Sequence, residues 1–159
     1  RKAWLEGLSR KASRAVAPLA YDRACRLAAR LAPLPVAIKG GITSLDQAER
    51  HLERVEGVML GRAAYHEPML LGAVDRRLFG EDRDAPDLSA IIAGMANYAE
   101  GELTRGVRLN QITRHMLGLA NGRPGARRFR QILSMDAVTP GAGPEVLFRA
   151  LNEVKLDAA

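Results

Sequence analysis

The sequence predicts an α/β segment followed by an all-α helical bundle. Two observations carry that reading. Residues 34–38 and 57–60 are short apolar runs that each end near glycine and lead into a helical pattern, the rhythm of strand, tight loop and helix. After the acidic, proline-ended stretch 80–86 the strand signals stop and only helical periodicity remains. Length sets the bound on the first part. A complete (β/α)8 barrel takes roughly 250 residues, so 159 residues cannot hold a whole one, and a piece of one is possible. The expected organisation is residues 1–79 as the α/β part, 80–86 as a linker and 87–159 as the helical domain.

Residues 1–20 read as a loop with a short helical piece that ends near Pro18. A helix is expected over 22–32, capped by Asp22, with Ala24, Leu27, Ala28 and Leu31 on one face. Cys25 lies beside that face and reads as a buried, inert thiol, since no His or Asn stands near it to activate it. Pro33 and Pro35 bracket the helix end and lead into the first strand, which closes on Lys39-Gly40-Gly41. The second helix starts at Ser44, where Ser44-Leu45-Asp46-Gln47 fits a capping box. Leu45, Ala48, Leu52 and Val55 form its buried stripe, and His51 points away from it. The second strand closes on Gly61-Arg62, and a third helix is expected over 63–79, with Pro68 tolerated in its first turns.

Beyond the linker, Asp87 or Ser89 can cap a helix reaching about Thr104, with Ile92, Met95, Ala99 and Leu103 inward. A second is expected over 107–120, with Ile112, Met116 and Leu119 inward. Asn121-Gly122-Arg123-Pro124-Gly125 breaks the pattern. A third covers 126–135 on Phe129, Ile132 and Leu133, and a last one covers 145–156.

The formal charge is +6, and its placement is more informative than its size. In residues 1–20, Arg1, Lys2, Arg10, Lys11 and Arg14 face only Glu6, a net +4. Residues 21–102 are net −3. Residues 103–135 hold seven arginines and no acid, and the remainder is −2. Two segments thus carry the whole surplus, which points to a polyanion, with a solvated basic face as the bland alternative. Within the cluster Arg127 and Arg130 are three apart and share a helix face, outward while Phe129 and Leu133 turn in. Pro124 and Gly125 would let a phosphate approach the helix start.

Other chemistries find little support. His51, His66 and His115 are isolated, there is no Cys-x-x-Cys, and no metal-ligand spacing or catalytic triad can be drawn. No apolar run approaches the roughly 20 residues of a membrane span. The single Cys25 excludes an intrachain disulfide and fits a reducing cytoplasm. The chain opens on Arg1-Lys2 without methionine, so its true N-terminus is expected elsewhere. The two glycine loops, Gly40-Gly41 and Gly61-Arg62, suit a phosphate cradle, because each brings backbone N–H groups and a helix start to a strand's carboxyl end. Arg62 would add a charged fork. A plain turn is the competing reading of each loop, and both readings stand at this point.

Four stretches together resemble the C-terminal half of tRNA-dihydrouridine synthase, subfamily A. They are residues 1–9 (Arg-Lys-Ala-Trp-Leu-Glu-Gly-Leu-Ser), the Lys39-Gly40-Gly41 loop, residues 56–66 (Glu-Gly-Val-Met-Leu-Gly-Arg-Ala-Ala-Tyr-His) and residues 121–127 (Asn-Gly-Arg-Pro-Gly-Ala-Arg). The resemblance implies that residues 1–79 are the C-terminal part of a flavin-binding TIM (β/α)8 barrel and that 87–159 are a helical domain that grips tRNA. It implies reduction of D-loop uridines to dihydrouridine by FMN recharged from NADPH, on a uracil drawn out of its stack. It places Lys39, Gly40, Gly41, Gly61 and Arg62 at the FMN phosphate, and Lys11, Arg14, Arg127 and Arg130 on tRNA. Lys39 stands where the family usually has asparagine, and Ala12-Ser13 replace a more polar pair. The family's catalytic cysteine has no match here, so no catalytic residue is assigned, and the chain alone is expected to be inactive. Two rivals remain: another FMN-dependent barrel acting on a small molecule, and an RNA-binding module without a catalytic half.

Overall fold

The computed structural model describes residues 19–155. It divides into two compact units, 1–61 and 62–159.

In the first unit helix α1 spans Tyr21–Leu31, strand β1 Ala37–Lys39, helix α2 Leu45–Leu52 and strand β2 Gly57–Met59. The strands pair in parallel, Ala37 with Gly57, Ile38 with Val58 and Lys39 with Met59. Helix α2 is the crossover that a parallel pair requires. The expected cap is present with a shift. Ser44 Oγ accepts from the Gln47 N–H at 3.2 Å, while Gln47 Oε1 accepts from the Thr43 N–H at 2.9 Å, one residue before the cap. Gly57 is demanded by the pairing, since a Cβ there would stand 2.9 Å from that of Ala37. Ile38 and Val58 turn to the helices and share a core with Cys25, Ala28, Ile42, Ala48 and Val55.

Helix α1 corrects its expected face. Cys25 and Ala28 are buried, whereas Leu27 and Leu31 are exposed. The small residues are the ones that fit against the two strands of the described residues. Asp22 is not the cap; it lies in the first turn and accepts from Arg54 Nη1 at 3.0 Å, a bond that raises the Arg54 pKa. His51 is half-buried, with its ring centroid 4.4 Å from that of Tyr21.

The described part of the second unit contains helices but no strand. Helix α3 is Arg62–His66, a 3-10 segment covers Pro68–Ala73, and α4 is Val74–Phe79. A continuous helix was expected over 63–79. It breaks because Pro68 has no N–H to give and forces Glu67 out of helical geometry, to φ −132° and ψ 66°. Residues 81–87 have no regular structure, and Arg76 pairs with Asp82 and Asp84 at 3.5 and 3.3 Å. Helix α5, Leu88–Thr104, is capped by Asp87 Oδ1 accepting from the Ala90 N–H at 2.6 Å. Helix α6 is Leu109–Thr113, α7 is Ala126–Met135, and α8 is Glu145–Asn152.

The helix expected over 107–120 stops at Thr113 and continues as tight turns, with Met116 and Leu119 N–H groups bonding three residues back. Its inward residues are nevertheless buried as the pattern required. One core holds the unit, from Leu88 and Ile92 through Leu109, Ile112, Phe129 and Leu133 to Leu147. Phe129 is fully buried, and truncating such a ring to alanine costs about 3–5 kcal/mol. Buried Thr113 donates from Oγ1 to the Leu133 carbonyl at 2.9 Å, satisfying one of the acceptors that the last turn of α7 leaves open.

Candidate functional site

The glycine loops of the first unit leave β1 and β2 at the same end, because the register sets Lys39 beside Met59. Gly40 and Gly41 follow with φ of 103° and 71°, a region that side chains strain to enter. Tyr21 Oη donates to the Gly40 carbonyl at 2.5 Å, and a Cβ on Gly41 would collide with Leu19 and come within 2.9 Å of Tyr21 Oη. The first loop is therefore built from glycine for reasons internal to the fold. Gly61 is different. Its φ is ordinary, and a Cβ would meet only Met59 Sδ at 3.6 Å, so packing leaves room for a side chain. Lys39 is an exposed strand-end residue beside Met59. Arg62 follows in sequence as the first residue of α3 and is exposed. At the other end of the sheet, Glu56 Oε2 accepts from the Val36 N–H at 2.9 Å, which lowers the carboxyl's pKa.

Lys11 and Arg14 lie outside the described residues. Arg127 and Arg130 lie on α7, and neither pairs with an acid among the described residues. Arg127 is exposed. Arg130 is half-buried, and its Nη1 donates to Asn121 Oδ1 at 2.9 Å. Asn121 Nδ2 in turn donates to the His66 carbonyl at 2.6 Å. Gly118 permits this contact, because a Cβ there would collide with the His66 carbonyl and stand 3.0 Å from Pro68 Cδ.

Gly125 also has a role inside the fold. Its φ is 92°, and a Cβ would run into the Glu153 carbonyl and lie 3.0 Å from Val154 Cα. The Lys155 N–H also donates to the Pro124 carbonyl at 3.1 Å. The Pro124-Gly125 start of α7 is thus packed against residues 153–155, and that contact by itself accounts for the glycine.

Beside Asn121 lies a group that sequence reasoning did not find. Tyr65 Oη is 3.0 Å from His115 Nδ1, and Arg114 Nε donates to His115 Nε2 at 2.9 Å. The Tyr65 ring stands edge-on to those of His66 and His115, each with centroids 6.0 Å away. Tyr65 and His115 are 50 residues apart, and no spacing in the sequence links them. Among the described residues no cluster of His, Cys, Asp or Glu could hold a metal ion. No helix there is long and apolar enough to cross a membrane.

Comparison with known proteins adds the family. Residues 5–154 match the family described as dihydrouridine synthase. The chain is similar to a Shewanella oneidensis protein named tRNA-dihydrouridine(20/20a) synthase, 48% identical over 157 residues, 99% of this chain and 47% of that protein. Proteins of the same name from Vibrio parahaemolyticus and Escherichia coli K12 are each 47% identical over 154 residues, 97% of this chain and 47% and 45% of theirs. The chain spans about half the length of the curated relatives it matches.

Proposed function

The chain belongs to the dihydrouridine synthase family, and we propose from that premise that the complete protein reduces uridines of the tRNA D-loop to 5,6-dihydrouridine. This chain is read as its C-terminal portion, with residues 1–79 completing a flavin-binding barrel and 87–159 forming a helical domain on tRNA. NADPH is the proposed reductant and the cytoplasm the proposed setting. The relatives' shared name, with its 20/20a, makes those tRNA positions the first to examine.

The observation that carries the reading is the pair of glycine loops at one end of adjacent parallel strands. In barrels, loops at the strands' carboxyl ends, commonly the last two, hold phosphate. The residues present fit the phosphate of FMN. Gly40 and Gly41 present backbone without side chains, and Gly61 leaves space that the fold itself does not need. Lys39 and Arg62 would bring positive charge to the phosphate. Bound FMN supplies the hydride chemistry that no side chain can. The part of this chain is to fix the cofactor at its phosphate end and to hold the RNA. For the second task Arg127 and Arg130 offer charge without acidic partners among the described residues, and Lys11 and Arg14 join them on the proposal. The Arg130 guanidinium is already oriented by Asn121, which lowers the cost of ordering it on a phosphate oxygen.

The test is the dihydrouridine content of tRNA from cells with and without the gene, read at each D-loop position by mass spectrometry. Loss at one or two positions, restored by the complete protein with bound FMN, supports the reading. Unchanged dihydrouridine defeats it.

A further inference from the structure

The strip around Tyr65 contains an unspent donor. Arg114 Nε donates to His115 Nε2, and an arginine has no acceptor to offer. That nitrogen of His115 is therefore the bare one, and Nδ1 bears the ring hydrogen. Nδ1–H donates to Tyr65 Oη, so the phenol serves as acceptor in this bond. Its own hydrogen remains available to a partner outside the chain, and Tyr65 is 54% exposed. Arg114 uses only Nε here, which leaves its outer nitrogens without a partner among the described residues.

This strip adjoins the arginine proposed for tRNA. His66 follows Tyr65 in the chain, and its carbonyl takes the Asn121 amide that also holds Arg130. Arg114, His115 and Tyr65 form one hydrogen-bonded group and Asn121 and Arg130 another, joined where His66 follows Tyr65 in the chain, with an arginine in each. Residues 103–135 contribute no acid to it.

We infer that Tyr65, His115 and Arg114 form a second contact for the sugar–phosphate backbone of RNA, next to Arg130. Arg114 meets a phosphate with its outer guanidinium nitrogens, Tyr65 donates its hydroxyl to a phosphate or ribose oxygen, and His115 positions both. Charge and donor type favour RNA backbone, which offers acceptors and negative charge at regular spacing. The inference rests on the tRNA reading above and adds residues to it.

The test uses the complete, FMN-loaded protein and an unmodified tRNA transcript, with binding measured across a series of salt concentrations. Arg114→Gln is expected to weaken binding and to reduce the slope of log K against log salt by about 0.7–0.9, one phosphate contact. Tyr65→Phe keeps the ring and removes the donor. It is expected to weaken binding about threefold to tenfold, the worth of one hydrogen bond, without changing the slope. Flavin content and unfolding midpoint are followed in both variants. If both bind tRNA as the wild type does while Arg130→Ala binds weakly, the second contact is refuted and the proposed function survives. If the wild type itself fails to bind tRNA, both fall.

Discussion

Arg130 is held in place by Asn121, whose Oδ1 accepts from its Nη1 at 2.9 Å while Nδ2 is tied to the His66 carbonyl at 2.6 Å. One amide thus fixes an arginine of α7 against the segment that begins with α3. If this is how Arg130 is set for RNA, Asn121 and Arg130 act as a unit. In the complete protein, Asn121→Ala is expected to weaken tRNA binding by about 0.5–1.5 kcal/mol. Arg130→Ala should then cost much less in that background than alone. A double-mutant cycle on binding reads this directly, and additivity within about 0.5 kcal/mol would remove the coupling.

Gly118 and Gly94 should respond to alanine with opposite signs. A Cβ at Gly118 meets the His66 carbonyl, whereas one at Gly94 meets nothing within 4 Å. Gly118→Ala is expected to destabilise by about 1–3 kcal/mol, as overpacking does. Gly94→Ala, in the middle of α5, should stabilise by about 0.5–1 kcal/mol through helix propensity. Denaturant midpoints of the two variants check this, and a shift of the same sign in both contradicts it.

The two glycine loops separate stability from cofactor binding. Gly41→Ala forces a side chain into φ 71° and against Leu19, so the unfolding midpoint should fall, with about 1–2 kcal/mol from the backbone alone. Gly61→Ala meets only Met59 Sδ at 3.6 Å and should leave the midpoint of the apoprotein unchanged. Flavin absorbance of the purified protein should nonetheless drop in Gly61→Ala. Full flavin occupancy there would remove Gly61 from the site.

Glu56 gives the sheet a pH dependence. The Val36 N–H donated to its carboxylate, with a smaller contribution from its own backbone N–H, holds its pKa below the ordinary value. The folded state thus binds the proton less readily than the unfolded chain. Its stabilising contribution is fully present above the unfolded pKa of about 4.3 and is lost as pH falls through the lower folded value. Denaturation curves of wild type and Glu56→Gln between pH 6 and 3 should diverge at the high end and converge in acid. Parallel curves across that range would show that the bond has no such linkage.

Much of this architecture was legible locally. Strand endings at Gly40 and Gly61, caps at Ser44 and Asp87, and the inward face of Phe129, Ile132 and Leu133 follow from short-range chemistry that a single stretch contains. The failures share a cause. Pro68 ended a helix that periodicity would have continued, because the missing N–H and the non-helical backbone that proline imposes on Glu67 outweigh an apolar pattern. Leu27 and Leu31 matched a buried stripe, yet burial depends on what lies opposite, and Cys25 and Ala28 are the residues that the two strands cover.

By itself the sequence determined the order of strands and helices, the concentration of arginine in 103–135 and the motifs that carry the family resemblance, since each depends on neighbours along the chain. Only the tertiary structure decided which glycines the fold requires. Gly118 and Gly125 are fixed by carbonyls of His66 and Glu153, far away in sequence, while Gly61 is left with room. It also decided that Tyr65 meets His115 and that Asn121 joins His66 to Arg130. Such contacts arise when packing brings distant segments together, and no periodicity records them.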